Sequence, residues 1–321
     1  MSRTDIPDAV YDILIVGGGP GGYTAGLYAA RADLRTLLIE GASTVSQIST
    51  TEAVENYPGI PEAIGGFDLV DRFRRQALQF GLNTESADVT AIERTSGGKI
   101  PLWKVTTSGG IHEALAVIVA TGAHWRALDV PGEAAFAGRG VSNCATCDAP
   151  FYRNREVVVV GGGDTAIQEA LFLTHFASKV TVVHRRNRLR ATAILQKRAL
   201  DNPRIVMAWK SVVEEIKGNG GVEAVTVRDV YTGERRDIPA HGVFIFVGLI
   251  PNADLLRGLA DLTDGGAIVV DRQMRTSAPG LFACGDCTDK LLRQVVTACG
   301  DGATAAYAAQ LYVEELKGEA Y

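Results

Sequence analysis

The stretch "YDILIVGGGPGG", residues 11–22, joins an apolar, strand-like run to a glycine-rich turn. Gly17, Gly19 and Gly22 follow the run as G-x-G-x-x-G. The Ala-rich segment after them predicts a helix, and "RTLLIE" predicts a second strand that ends at Glu40. In this βαβ setting the glycines allow a tight turn and the close approach of a pyrophosphate to the helix N-terminus. The stretch therefore predicts a dinucleotide-binding unit.

The same pattern returns at residues 157–184. A strand "VVVV" precedes "GGGDTA", a helical segment follows, and "KVTVVH" predicts the closing strand. Gly17 and Glu40 are 23 positions apart (40 − 17), and so are Gly161 and His184 (184 − 161). The chain is therefore predicted to contain two dinucleotide-binding units of equal dimensions.

The two units differ at the end of the second strand. Glu40 can accept hydrogen bonds from a ribose diol, which favours FAD or NAD in the first unit. The second unit has His184, Arg185, Arg186 and Arg190, and guanidinium groups pair well with a 2′-phosphate. An alternative interpretation of this basic stretch is a solvated helix face. Because it begins at the same spacing from a glycine fingerprint as Glu40 does, we favour NADPH binding.

Two further segments are typical of a flavoprotein. "VIVATGA" (117–123) predicts a buried strand with a Gly turn, and "TSAPGLFACGDC" (276–287) predicts another, with Asp286 suited to a ribityl hydroxyl. Each alone is also compatible with an ordinary αβ turn. Their order around the two fingerprints predicts an α/β fold of two Rossmann-like, three-layer ββα domains. The FAD-binding domain comprises residues 1–124 plus 252–321, and the NADPH-binding domain, residues 125–251, is inserted in it.

The composition agrees with a two-domain globular protein. The chain has 321 residues, is 46% hydrophobic and 21% charged, and carries a net charge of −5. This charge does not favour nucleic acid or an anionic membrane as a partner. The polar N-terminus lacks the features of a secretory signal, and the longest apolar runs are too short to span a bilayer. We therefore expect a cytoplasmic protein.

The motif "SNCATCDAP" (142–150) places two of the five cysteines three positions apart. By itself it is compatible with half of a zinc site, a structural bridge or a redox-active disulfide. A structural zinc site needs four ligands. The other CxxC pair, Cys284 and Cys287, encloses the predicted flavin-binding Gly-Asp turn and lies 137 positions beyond Cys147 (284 − 147). This spacing argues against zinc, and no metal is expected.

The redox interpretation of Cys144 and Cys147 is favoured. A CxxC pair closes a small ring, and neighbouring backbone N–H groups can lower the pKa of one thiol. Asp148, directly after the pair, is a candidate acid–base residue, although it also suits a turn or a helix cap. The remaining cysteines, which include Cys299, are predicted to be small buried apolar residues.

Several long segments resemble one known family. "CATCDAPFYRN", "GGGDTAIQEALFLTHFASKVTVVHRRNRLRA", "GLFACGDCTDKLLRQVVTACGDGATAA", "YAARADLRTLLIEG" and "TTEAVENYPG" are similar to segments of the low-molecular-weight, bacterial-type thioredoxin reductases. The resemblance covers nearly the whole chain. It implies a homodimeric enzyme that moves electrons from NADPH through FAD and a disulfide to thioredoxin, with two alternating domain orientations.

The resemblance also implies roles for individual residues. Cys147 would lie beside the flavin, Cys144 would attack the thioredoxin disulfide, and Asp148 would serve as the acid–base residue. The residues expected to bind FAD are Gly17, Gly19, Pro20, Gly22, Glu40, Gly41, Gln47, Ile48, Asn56, Ala120, Gly122, Gly285, Asp286, Arg293, Gln294 and Val295. The residues expected to bind NADPH are Gly161, Gly163, Asp164, Thr165, His184, Arg185, Arg186 and Arg190.

One departure from the family pattern and several alternatives remain. The family usually has Gly-Gly-Gln-Leu beside the flavin, whereas this chain has Val45-Ser46-Gln47-Ile48. The larger disulfide reductases, such as lipoamide dehydrogenase, need cysteines that residues 41–60 lack. The peroxiredoxin-reductase flavoproteins need an N-terminal extension, and only ten residues precede Tyr11. The nearer alternatives are a related flavoprotein with another electron donor or disulfide substrate, and a redox-sensing or zinc-binding module.

Overall fold

The fold is built on one mixed, mainly parallel sheet and one parallel sheet, each in its own compact unit of the chain. The computed structural model describes residues 9–51, 54–95 and 100–319. One compact unit consists of Met1–His124 and Ile250–Tyr321, and a second, Trp125–Leu249, is inserted between these segments. We call them the outer unit and the inserted unit. The predicted α/β fold class with two Rossmann-like domains is confirmed.

Helices and strands alternate over residues 11–86 and 145–209, and a run of consecutive strands follows each of these segments. The strands are β1 (Tyr11–Val16), β2 (Thr36–Glu40), β3 (Asn83–Ser86), β4 (Val89–Arg94), β5 (Trp103–Thr107), β6 (Gly110–Val119), β7 (Ala123–Trp125), β8 (Val141–Ser142), β9 (Glu156–Gly161), β10 (Lys179–His184), β11 (Ile205–Trp209), β12 (Ser211–Gly218), β13 (Val222–Asp229), β14 (Arg235–Pro239), β15 (Gly242–Phe246), β16 (Leu249–Pro251) and β17 (Leu281–Ala283). The helices are α1 (Pro20–Arg31), α2 (Gly66–Gln79), α3 (Ala145–Asp148), α4 (Asp164–Leu173), α5 (Ala193–Leu200) and α6 (Val295–Lys317).

The outer unit contains a seven-stranded sheet in the order β3-β2-β1-β6-β5-β4, with β17 also paired to β6. Its β1, β2, β3, β6 and β17 are parallel, whereas β5 pairs antiparallel with β6 and β4 pairs antiparallel with β5. The inserted unit has a parallel sheet, β11-β10-β9-β15-β8, and an antiparallel sheet, β12-β13-β14. Strands β16 and β7 form a two-stranded sheet.

The central strands are apolar on both faces because both faces are covered. In β1, Ile13 and Ile15 pack into one buried cluster of the outer unit, whereas Leu14 and Val16 pack into another. In β9 the valines divide in the same way between two clusters of the inserted unit. Each unit therefore has a core of its own.

Two helices of the outer unit begin at the predicted flavin-binding segments. Gly19 precedes α1 in an extended conformation, and Pro20 occupies the first helical position, which its fixed φ suits. Helix α6 begins with a capping box between Gln294 and Thr297 and ends at Gly318, whose φ is +71°. Among the helices that the structure describes, none is long and apolar enough to cross a membrane.

Candidate active site: two nucleotide-binding turns and a cysteine pair

The turn after β1 brings backbone close to the N-terminus of α1. Gly17 has a φ of +117°, and a Cβ at this position would lie 2.3 Å from the carbonyl oxygen of Ala120. A Cβ at Gly22 would lie 1.9 Å from the carbonyl oxygen of Gly17. Gly19 provides no side-chain cap to α1. The first N–H groups of this helix are thus suited to an anionic ligand such as a pyrophosphate.

Glu40, at the end of β2, is held by two residues that the sequence reasoning missed. The Nε atom of Arg74 lies 3.6 Å from Oε1 of Glu40. Burial, with a hydrogen bond to Glu40, raises the pKa of the Tyr23 phenol. Tyr23 follows the first fingerprint directly, but Arg74 lies on α2, and nothing local in the sequence signals its contact with Glu40. The carboxylate is therefore oriented before a ribose binds.

The turn after β17 presents a buried acceptor. Gly285 has a φ of +77°, and Asp286 follows it. Oδ1 of Asp286 is buried, and among the described residues it has no hydrogen-bond partner. Burial raises the pKa of this carboxyl group. Arg293 supports the turn, since its Nε donates to the carbonyl oxygen of Asp286 at 3.3 Å. A buried acceptor without a partner is costly, so the site suits a ligand hydroxyl.

Distant parts of the chain meet at the start of α6. Nδ2 of Asn56 donates to Oε1 of Gln294 at 2.9 Å across 238 positions of sequence. Val295, the first residue of α6, is 9% exposed. Gln47 and Ile48 begin a short 3-10 helix, and Ile48 also packs against the core of the outer unit. The structure thus brings Asn56 and Gln294 together, as expected if both face one ligand.

The unusual Val45-Ser46 segment places one side chain beside the first fingerprint. Oγ of Ser46 lies 3.4 Å from the position that a Cβ on Gly19 would take. Val45 instead is 76% exposed. The departure from the family pattern therefore adds a hydroxyl near the start of α1.

These features fit FAD. The uncapped start of α1 suits its pyrophosphate, Glu40 suits its adenosine ribose, and the open acceptor of Asp286 suits its ribityl chain. Gly122, with a φ of +65°, has nothing within 4 Å of its Cβ position, so its turn leaves open space. All these residues belong to the outer unit.

The second fingerprint repeats this construction. Gly161 has a φ of +150°, and a Cβ there would lie 2.5 Å from the carbonyl oxygen of Phe246 and 2.7 Å from Cβ of Ala166. Gly163 precedes α4 without a side-chain cap, and nothing lies within 4 Å of its Cβ position. The N-terminus of α4 is therefore also open to a pyrophosphate.

The arginine-rich loop after β10 is fastened to this second fingerprint. The carbonyl oxygen of Gly162 accepts the N–H of Arg190 at 2.7 Å. Oδ1 of Asp164 accepts the N–H of Thr192 at 2.6 Å. Arg185, Arg186, Arg190 and Thr165 are exposed. The guanidinium groups thus face solvent on a loop whose backbone is fixed, which suits a 2′-phosphate.

His184 has a different environment from the arginines with which the sequence grouped it. It is only 7% exposed, its Nε2 lies 3.1 Å from the carbonyl oxygen of Arg188, and burial lowers its pKa. A Cβ on Gly162 would lie 2.4 Å from its Nδ1. A neutral ring that donates to Arg188 supports the loop, and its contact with a phosphate stays a prediction.

Cys144 and Cys147 form a disulfide at the start of α3. Cys147 is exposed and Cys144 is half-buried. The Sγ atom of Cys144 accepts the N–H of Cys147 at 3.1 Å. The N–H of Cys144 is bound by Oγ of Ser142 at 3.0 Å, and Nδ2 of Asn143 donates to the carbonyl oxygen of Ile245 at 2.9 Å. This short loop is anchored to the parallel sheet of the inserted unit, with one sulfur facing a backbone donor.

The other cysteines and Asp148 have simpler environments. Cys284, Cys287 and Cys299 are free and buried, as predicted, and burial raises the pKa of each thiol. Asp148 ends α3 and is half-buried, and its charge helps to raise the pKa of Tyr152, which burial mainly causes. Within the described ranges, no group of three or more His, Cys, Asp or Glu side chains is placed to hold a metal ion.

Comparison with known proteins matches this arrangement to one family. The family Pyridine nucleotide-disulphide oxidoreductase matches residues 11–302. The thioredoxin reductase of Listeria monocytogenes is 47% identical over 97% of this chain and 96% of its own length. The crystal structure of Lactococcus lactis thioredoxin reductase has a TM-score of 0.91 at 42% identity, covering 95% of this chain and 99% of that one. The crystal structure of T. acidophilum thioredoxin reductase has a TM-score of 0.89 at 32% identity, and the match covers 96% of this chain and 99% of that one.

These matches extend over both units and include both fingerprints. They confirm the predictions that the protein is an oxidoreductase and that its cofactors are FAD and NADPH. The roles assigned to individual residues stay predictions. The chain belongs to the pyridine nucleotide-disulphide oxidoreductase family and, within it, to the thioredoxin reductases.

Proposed function

We propose that this enzyme reduces the disulfide of a thioredoxin with electrons from NADPH, and that Cys144 and Cys147 pass those electrons on. The observation that carries the proposal is the disulfide between these residues, which has one exposed cysteine, in a chain that also has two glycine-rich strand–turn–helix fingerprints. The names of the relatives support thioredoxin as the substrate.

The outer unit would hold FAD. Asp286 would accept a hydrogen bond from a hydroxyl of the ribityl chain, and Glu40 would accept hydrogen bonds from the adenosine ribose. The N-terminus of α1 would face the pyrophosphate. When bound, FAD supplies the transfer of an electron pair from the hydride of NADPH to a disulfide. In the inserted unit, Arg185, Arg186 and Arg190 would bind the 2′-phosphate of NADPH.

The disulfide is arranged so that one sulfur leaves more easily than the other. An electron pair that reaches the exposed Cys147 sulfur breaks the S–S bond, and Cys144 leaves as a thiolate. The N–H of Cys147 already points at the Cys144 sulfur, at 3.1 Å, and stabilises negative charge there. Two electrons and two protons thus convert the disulfide into two thiols.

Thiol–disulfide exchange then reduces the substrate. The Cys144 thiolate attacks one sulfur of the thioredoxin disulfide, that bond breaks, and the displaced thioredoxin thiolate takes up a proton. Cys147, as a thiolate, next attacks the Cys144 sulfur of the mixed disulfide. This step restores the Cys144–Cys147 bond and releases the second thioredoxin thiolate, which takes up the other proton. The two electrons and two protons of the dithiol have passed to thioredoxin.

Asp148 is the acid–base residue of this proposal. It follows Cys147 directly and is half-buried at the end of α3. A carboxylate directly after the pair in the sequence would accept a proton when a thiolate forms and return it when a thiolate leaves.

We also propose that the enzyme is a homodimer that works in the cytoplasm. Tyr28 on α1 and Tyr307 and Leu311 on α6 are exposed apolar side chains of the outer unit, which supports a partner there. The three free cysteines support a reducing compartment. Light scattering of the purified holoenzyme measures its oligomeric state.

The proposed activity is tested with purified holoenzyme, NADPH, a thioredoxin and a chromogenic disulfide. Cys144→Ser and Cys147→Ser should each abolish thioredoxin-dependent turnover, because neither variant can form the dithiol. NADPH should still bleach the visible absorbance of the flavin in both. Cys299→Ala is the matched control, since this cysteine is free and takes no part in the exchange, and its turnover should stay close to that of the unchanged enzyme.

Two results would contradict the proposal. Activity that survives in either serine variant removes the role of the disulfide. If the holoenzyme binds FAD but does not reduce thioredoxin, thioredoxin is not its substrate. That result would favour the related alternative, a flavoprotein with another electron donor or another disulfide substrate. The structural feature that supports this alternative is the hydroxyl that Ser46 adds beside the first fingerprint. NADH and small disulfides in the same assay separate these alternatives.

A further inference from the structure

A buried ion pair fastens the Gly285-Asp286 turn to α6. The side chains of Lys290 and Asp301 are only 12% and 19% exposed, and Nζ of Lys290 contacts Oδ2 of Asp301. The same carboxylate oxygen accepts the N–H of Gly285 at 3.2 Å. One oxygen atom on α6 therefore joins the helix, the turn and the lysine.

The backbone of the turn is held on both sides of Gly285. While Asp301 binds its N–H, Oγ1 of Thr288 donates to its carbonyl oxygen at 2.8 Å, and Thr288 is itself only 1% exposed. Gly285 has a φ of +77°, a conformation that the chain keeps more easily when such bonds fix it. The direction in which Asp286 leaves the turn is thereby set.

Two cations act on the charge of Asp286. Burial, the largest effect, raises the pKa of Asp286, the charges of Lys290 and Arg293 lower it, and the charge of Asp301 raises it. Each cation is nevertheless engaged elsewhere. Arg293 donates to the carbonyl oxygens of Asp286 and Thr288, both at 3.3 Å, and Lys290 pairs with Asp301. Oδ1 of Asp286 is left buried without a partner in the described part of the chain.

We propose that Asp301 is a positioning residue for FAD: it fixes the Gly285 amide and keeps Lys290 engaged, so that Asp286 remains free to accept a ribityl hydroxyl. The inference rests on the FAD site of the proposed function. If Asp301 loses its charge, Lys290 becomes a buried cation without a counter-ion. It then pairs with Asp286, and FAD must displace that pair in order to bind.

The test measures the affinity of the FAD-free protein for FAD by quenching of flavin fluorescence. Asp301→Asn keeps the size of the side chain and an acceptor for Gly285, but it releases Lys290. We expect it to raise the Kd for FAD by about tenfold or more, the weight of a hydrogen bond to a charged group. The double variant Asp301→Asn with Lys290→Met removes the competing cation as well. It should recover most of the lost affinity.

Asp12 offers a matched control in the same unit. Its side chain is 11% exposed, its Oδ1 pairs with Lys317 of α6 at 2.7 Å, and its Oδ2 accepts the N–H of Arg35 at 3.0 Å. Asp12→Asn therefore removes a similar pair and weakens a similar backbone contact away from the turn. It should lower the melting temperature but leave the Kd for FAD within about twofold.

An unchanged Kd in Asp301→Asn overturns the inference. So does a double variant that binds FAD as weakly as Asp301→Asn, or an Asp12→Asn variant that binds equally weakly, because either result means general damage to the fold. Where FAD-free Asp301→Asn does not stay folded, the rate of FAD release from the holoenzyme gives the same comparison. Turnover is measured separately. If the enzyme binds FAD tightly but does not reduce thioredoxin, the proposed substrate is wrong. The affinities for FAD still support or overturn the role of Asp301 in that case.

Discussion

In the FAD-free protein, burial of the Asp286 side chain costs stability. Its Oδ1 is buried and lacks a partner among the described residues, and burial raises its pKa. The unfolded chain therefore ionises at lower pH than the folded protein does. Stability is lost as the pH rises from the ordinary pKa through the raised one. At neutral pH, which is above the ordinary pKa, the burial of Asp286 therefore works against folding of the FAD-free protein.

Asp286→Asn removes this penalty. We expect the FAD-free variant to melt a few degrees higher than the unchanged protein at pH 7, and the gain to shrink as the pH approaches about 4, near the ordinary pKa. The same variant should bind FAD roughly tenfold more weakly, because an acceptor of full charge is lost. Calorimetry and FAD titration measure the two effects. The exposed Asp289→Asn is the control and should change neither, whereas a lower melting temperature in Asp286→Asn would contradict the argument.

The exposed arginines of the inserted unit give a second prediction for single residues. Replacing Arg185 and Arg186 with Ala should raise the KM for NADPH by roughly 10- to 100-fold, since charge-assisted bonds to the 2′-phosphate are lost. The KM for NADH should change far less. Arg188 is exposed on the same loop but outside the predicted set, so Arg188→Ala is the matched control. Equal losses for both nucleotides would rule out the assignment.

At the level of elements, the crossing of α1 and α6 shapes the outer unit. A Cβ on Gly302 of α6 would lie 2.2 Å from the carbonyl oxygen of Gly21 on α1. The obstacle is backbone, which cannot move aside as a flexible side chain can. Gly300, two residues earlier on α6, has nothing within 4 Å of its Cβ position. The same helix thus contains one glycine that the packing requires and one that it does not.

These two glycines predict opposite effects of one substitution. Gly302→Ala should destabilise the protein by about 1–3 kcal/mol, because the two helices must separate. Gly300→Ala should stabilise it by up to about 1 kcal/mol, since alanine costs less backbone entropy in a helix. Chemical denaturation of both variants gives the two free energies of unfolding. A similar loss in both would mean that the close crossing is not the cause.

For the whole molecule, the important feature is that each unit has a separate core. The inserted unit is one continuous segment, Trp125–Leu249, with its own buried clusters. The outer unit needs both of its segments, because β17 pairs with β6 and α6 packs against α1. The predicted division, residues 1–124 plus 252–321 for FAD and 125–251 for NADPH, remains an assignment of cofactors to units that binding must test.

Expression of residues 125–249 alone provides that test. The fragment should unfold cooperatively, because its core lies within one segment, and it should bind NADPH more tightly than NADH. Residues 1–124 alone should not fold, since they lack β17 and α6. Fluorescence of Trp125 and Trp209 follows the unfolding of the fragment, and calorimetric titration measures binding. A fragment that folds but prefers NADH would overturn the cofactor assignment.

The features that the sequence predicted correctly have local signals. The strand–turn–helix around Gly17 and its repeat around Gly161 need residues that are neighbours in the chain, and both are confirmed by β1 and α1 and by β9 and α4. The disulfide of Cys144 and Cys147 likewise joins residues three positions apart. Steric demands of glycine and the period of apolar residues act over a few positions, so they can be read without a fold.

The residues that the sequence analysis missed depend on contacts over long distances. Arg74 reaches Glu40 from another helix, and Asp301 reaches Gly285 and Lys290 from the second turn of α6. His184 fits the charge pattern of its loop, and only the structure shows that it is buried beside Gly162 and that burial lowers its pKa. The sequence by itself determined the α/β class, the two fingerprints and the closely spaced cysteine pair that forms the disulfide. Only the tertiary structure decided that the Asp286 acceptor stays without a partner among the described residues, that Lys290 pairs with Asp301 and that Gly302 lies against the backbone of α1. The reason is that packing between distant segments sets burial and pairing.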